Sequence, residues 1–168
     1  MIHVCSLARL NETITATGAR HVITLLGIED HVPLPSQIAR DADLRLHMHD
    51  IVDPIDGQIH PAEEHVERLV TFVKRWGREA PLVIHCYAGI SRSTAAAFTS
   101  VCALSPHRSE DDIAKALRRA SATAQPNARI VRIADQVLGR NGRMVEAVAA
   151  INPCVPALQA EPFRLDLE

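Results

Sequence analysis

The chain has 168 residues, of which 47% are hydrophobic and 23% charged, enough for one soluble domain with a real core. A net charge of −2 gives no polyanion-binding surface, so nucleic acid is not an expected partner. No apolar run approaches the ~20 residues that span a bilayer, and no basic leader precedes an apolar stretch. Membrane association and secretion are therefore not expected.

Taken in chain order, short apolar runs alternate with longer helical patterns, the mark of an α/β domain. Strands are predicted at Ile2–Ser6, His21–Leu26, Leu44–Met48 and Pro81–His85. Helices are predicted at Pro61–Arg75, Ser93–Leu104, Ser109–Ala120 and Asn127–Leu138. The first places Val66, Leu69, Val70 and Val73 on one face behind Pro61. The second is Ala-rich and reads as buried. The third opens on a Ser cap with Glu110, Asp111 and Asp112 and closes on Arg118 and Arg119, the charge order a helix dipole favours. Asn127 caps the fourth, and Gly139 ends it. Pro153, Pro156 and Pro162 leave 151–168 without periodicity, so the domain is placed at 1–150 and the rest reads as an irregular tail.

The four cysteines, Cys5, Cys86, Cys102 and Cys154, form no C-x-x-C pair and no repeating spacing. That excludes a disulfide framework and a zinc ribbon, and a reducing, cytoplasmic setting is the expectation.

The segment that carries chemistry is Pro81-Leu-Val-Ile-His-Cys-Tyr-Ala-Gly-Ile-Ser-Arg-Ser-Thr94. A strand, a short loop with Gly89 and a helix beginning near Arg92 can aim several backbone N–H groups at one point, with the positive helix end behind them. Such a junction is an anion site. Thiols at helix N-termini beside a cation ionise readily, so Cys86 is expected to serve as a thiolate. The Arg92 guanidinium can fold back and bind two oxygens of a tetrahedral anion as a planar fork. Gly89 lets the main chain turn its amides inward.

His85-Cys86-x5-Arg92-Ser93 resembles the signature of the protein-tyrosine and dual-specificity phosphatase superfamily, His-Cys-x5-Arg-Ser/Thr. Gln125-Pro126-Asn127 and His21–Leu26 are also similar to segments of that family, so the likeness spans roughly residues 15–140, although only the signature is specific. The resemblance implies a single three-layer, dual-specificity-phosphatase-like domain with a short, mostly parallel sheet flanked by helices. It implies that Cys86 forms a phosphocysteine, Arg92 binds the transition state and the amides of Tyr87, Ala88, Gly89, Ile90, Ser91 and Arg92 cradle the oxygens. His85 would hold the loop and Ser93 assist breakdown of the intermediate. No cofactor or metal is required.

The family's general acid is an Asp some thirty-odd residues upstream, and Asp50, Asp53 and Asp56 all lie there. Asp50 continues the parity of Leu44, Leu46 and Met48 and is preferred. Asp53, before Pro54, is the alternative, while Asp56-Gly57 suits a turn. The loop contains no base that would bind additional phosphates. The expected substrate is therefore a monophosphate ester on a protein, phosphotyrosine first and phosphoserine or phosphothreonine next, or a small phosphate ester. Two other readings stand beside this one: a phosphate-binding module with little catalysis, and another thiolate enzyme such as a sulfurtransferase or arsenate reductase. Neither oligomeric state nor the purpose of the tail is legible.

Overall fold

The computed structural model describes residues 1–30 and 32–168. Five strands, β1 (Ile2–Ser6), β2 (His21–Leu26), β3 (Asp43–His47), β4 (Leu82–Cys86) and β5 (Phe163–Leu165), form one sheet in the order β3-β2-β4-β1-β5. The first four run parallel to one another, and β5 runs antiparallel against β1. Six α-helices accompany them: α1 (Leu10–Thr17), α2 (Glu63–Arg75), α3 (Arg92–Leu104), α4 (Glu110–Ala120), α5 (Ala128–Val137) and α6 (Arg143–Ala150).

The helices divide unequally between the two faces. Ile2, Val4, Ile23, Leu25, Leu82 and Ile84 face α2 to α6 across the larger core, in which Phe98 of α3 is fully buried. Cys5, Val22, Leu26 and Val83 point the other way, onto Leu10 and Ile14 of α1. Both faces are covered, as a parallel sheet requires, and this gives the three layers. Each fully buried Leu, Ile or Phe side chain contributes about 1.5–3 kcal/mol.

Alternation along β4 fixes the chemistry of the loop that follows. Leu82, Ile84 and Cys86 share the face of α3, whereas Val83 and His85 share the face of α1. Cys86 and His85 are thus on opposite sides of the sheet.

Several predicted boundaries shift. The strands expected at Leu44–Met48 and Pro81–His85 each lie one residue away, at 43–47 and 82–86, so Cys86 ends a strand instead of opening the loop. Helix α2 starts at Glu63 because the Pro61 carbonyl is turned to accept from Arg129 Nε at 2.7 Å. The 151–168 segment, expected to be irregular, contains β5, and its Val4↔Phe163 pairing extends the sheet. Two helices absent from the sequence reading, α1 and α6, complete the fold. No helix among the described residues is long and apolar enough to cross a membrane.

Candidate active site

The loop between β4 and α3 lies at the carboxyl ends of the parallel strands, where open α/β sheets bind their ligands. Its carbonyls are turned outward and held there by distant segments. Tyr87 O accepts from Leu7 N at 3.1 Å, Ala88 O from Ala160 N at 2.9 Å, and Ile90 O from Gln125 N at 3.0 Å. Ser91 O accepts from Ala95 N at 3.0 Å and Asn127 N at 3.3 Å, and the Thr94 hydroxyl donates to both Ile90 O and Ser91 O. With these oxygens facing out, the amides opposite them across each peptide plane, those of residues 88, 89, 91 and 92, face the interior of the turn. Such a ring of N–H groups, backed by the start of a thirteen-residue helix, is an anion cup.

Gly89 makes the turn possible. Its φ is 75°, and a Cβ there would lie 2.8 Å from Ser6 N and 2.9 Å from the Cys5 carbonyl carbon. The loop therefore rests directly on the backbone of β1.

Cys86 is almost wholly buried at the base of the cup, with its Sγ 3.1 Å from Ser93 Oγ. Burial pushes the thiols of Cys5 and Cys102 up to about 11 and about 12 respectively, so both stay protonated inside the core. Arg92 is also buried. Its Nη1 donates to Met48 O at 2.7 Å, which anchors the guanidinium to the end of β3. Its Nε has no partner among the described residues and lies 4.0 Å from Asp50 Oδ2. A buried donor left unpaired costs about 1–3 kcal/mol, and such costs persist where a ligand satisfies the group.

Of the three candidate acids, Asp50 is the one tied to the loop. Its Oδ1 accepts from Ser91 Oγ at 2.7 Å and from Asn127 Nδ2 at 2.8 Å, which leaves Oδ2 toward Arg92. Ser91 occupies the N-cap position of α3 yet does not cap it, because its hydroxyl is committed to Asp50. Asp53 and Asp56 are exposed and bond to neither the loop nor Arg92. Asn127 has a second function that the sequence reading missed. Its Oδ1 caps α5 by accepting from Arg129 N and Ile130 N, both at 3.1 Å, while its Nδ2 holds Asp50. A local pattern reveals the cap and cannot reveal the contact 77 residues away.

His85 lies behind the loop, with its Nε2 2.8 Å from Thr24 Oγ1 on the far face of the sheet. Burial drives its pKa down to about 4, so the ring is neutral and acts by fixing the strand end. The sign of the linkage follows. Between the unfolded value of 6.5 and about 4 the unfolded chain binds the proton and the folded chain does not, so this contribution to stability is full above 6.5 and is lost on acidification. Denaturant titrations at several pH values should show up to about 3 kcal/mol lost through this residue. His85→Gln should flatten that part of the curve. A variant with the wild-type slope would mean that His3 and His65, shifted downward as well, account for the effect.

A family model for protein-tyrosine phosphatase matches residues 45–126, which include the end of β3, the Asp50 segment, the loop and α3. Over that stretch the sequence is similar to protein-tyrosine phosphatases. The fold is shared with DUSP15, at a TM-score of 0.66 and 17% identity over 89% of each chain. Human DUSP28 gives 0.62 and 17% over 83% of this chain and 88% of that one. PTPMT1 in complex with PI(5)P gives 0.62 and 16% over 90% and 95%. Among curated proteins, none matches by sequence. The family match falls on the segment that holds the signature at residues 85–93, and the three-layer fold that the resemblance implied is found.

Proposed function

We propose that this phosphatase hydrolyses phosphate monoesters on proteins, phosphotyrosine foremost, through a phosphocysteine. Cys86 Sγ attacks phosphorus as a thiolate while the bond to the leaving oxygen breaks and Asp50 gives that oxygen its proton. Water then attacks the phosphocysteine, Asp50 takes a proton from it, and the thiolate departs with inorganic phosphate released. The amides of residues 87–92 and the Arg92 fork stabilise the equatorial oxygens. Ser93, 3.1 Å from Sγ, donates to the departing thiolate.

The observation that carries this reading is the joining of Asp50 to the cup through Ser91, beside Arg92. A pure binding module has no need of a carboxylate held against the site for an anion, and a sulfurtransferase has no leaving alkoxide to protonate. Residues 87–91 contain no Lys or Arg, which supports a substrate with a single phosphate. A nucleophilic thiol also favours the reducing cytoplasm.

Reduced protein should hydrolyse p-nitrophenyl phosphate, and vanadate should block it. Asp50→Asn is expected to slow turnover by about 10²–10⁴ and to flatten the basic limb of the pH–rate profile, with Asp53→Asn close to wild type. Equal, mild effects of the two substitutions would refute the assignment of the acid. No turnover on any aryl phosphate would refute the function.

A further inference from the structure

A groove of ≈ 650 Å³ opens beside the anion cup at Asp50, Ile90 and Ser91 and runs between α5, α6 and the segment around Leu158. Its walls are aliphatic: Val52, Ile90, Val131, Val145, Val148 and Leu158. Three of these are held open to solvent, Val52 at 39%, Val145 at 42% and Leu158 at 98%. Soluble proteins keep contiguous exposed apolar surface for binding. Asp50, at the mouth, is the one charged residue among those described in the lining.

We propose that this groove selects the substrate: it takes an uncharged aliphatic side chain, such as leucine, next to the phosphorylated residue of a peptide. The inference rests on the phosphatase reading above and adds a substrate class to it. Charge excludes one set of occupants. Without a cation, the groove offers nothing to acidic flanking residues or to a second phosphate.

Its polar groups favour a peptide over an acyl chain. Gln125 and Asn152 are exposed in the lining; the Gln125 side-chain carboxamide bonds to no described residue, and that of Asn152 makes one long contact, Nδ2 to Val148 O at 3.4 Å. A carboxamide donates and accepts at once, which matches a peptide backbone N–H and C=O. A hydrocarbon chain would instead strip water from both amides and give nothing back. The volume falls within the range of pockets that enclose a few side chains.

The test compares kcat/KM on short phosphotyrosine peptides carrying Leu, Ala or Asp, in one series just before and in another just after the phosphorylated residue. p-Nitrophenyl phosphate reports the cup alone. In at least one series Leu should exceed Asp by about tenfold or more. Leu158→Asp and Val145→Asp should erase that preference with p-nitrophenyl phosphate turnover unchanged; Leu158 is so exposed that its substitution leaves folding intact. Equal rates on Leu, Ala and Asp peptides, with p-nitrophenyl phosphate still hydrolysed, would overturn the proposal. So would turnover of phosphatidic acid in phosphatidylcholine vesicles without turnover of the peptides. Loss of p-nitrophenyl phosphate hydrolysis in the wild type would overturn the phosphatase reading itself, and the proposal with it.

Discussion

Cys86→Ser is expected to lose p-nitrophenyl phosphate turnover by at least about three orders of magnitude while it keeps its fold and its affinity for a phosphopeptide. An alcohol in place of the thiol needs a base to make it a nucleophile, and among the described residues none bonds to this position. Its described hydrogen-bonding neighbour is the Ser93 hydroxyl, itself no base. His85, adjacent in sequence, bonds to Thr24 on the other side of the sheet and cannot reach across. The serine of a Ser–His pair is activated by an imidazole, whereas here the nucleophile must arrive already ionised. Binding depends on the loop amides and Arg92, which the substitution leaves alone. Affinity by titration and melting by circular dichroism separate the two effects. Retained turnover would rule out a covalent sulfur intermediate.

The variant also distinguishes catalyst from binding module, since a module would bind equally well and show no turnover in either form. The balance lies with the catalyst because of how the site is assembled. Four outward carbonyls are fixed by amides at positions 7, 125, 127 and 160, from both ends of the chain. The polar side chains of Ser91 and Asn127, which could have served simple local ends, are drawn to one oxygen of Asp50.

What was legible in the sequence was what is local. Strands β1 and β2 fall where apolar runs place them, and Ser109 caps α4 by accepting from Asp112 N at 3.1 Å, as a Ser followed by acidic residues indicates. The signature named the loop because its spacing is itself the geometry of the cup. Helix α6 was not legible because its start is capped from elsewhere: Asp135, in α5, accepts from Gly142 N at 2.7 Å and Met144 N at 2.9 Å. Strand β5 has three residues, too few to show alternation, and exists by pairing with β1 at the other end of the chain. Parity in β3 pointed to Asp50 over Asp53. The contacts that set Asp50 apart in the structure come from residues 91 and 127, which no reading of 44–56 could supply.

Gly89→Ala is the second large effect, and it tests the cup without touching a reacting group. Two costs combine at this position. A φ of 75° strains an alanine by about 1–2 kcal/mol, and its Cβ would press on the backbone of Cys5 and Ser6, 2.8 Å from the amide nitrogen of the latter. That backbone is held in β1 by its pairing with His85 and Cys86 of β4, so it does not yield. The loop must move instead and carry its amides off the phosphate oxygens. A displacement on the order of 1 Å costs about 10² in rate, so kcat/KM on p-nitrophenyl phosphate should fall by that factor or more. Gly18→Ala provides the control. Its φ is 67°, with nothing within 4 Å of the added carbon, so it pays the strain without the collision. It should lower the melting temperature by a few degrees and leave kcat/KM where it was. Equal activity losses in the two variants would show that backbone strain, and not the close approach of loop to strand, governs the site.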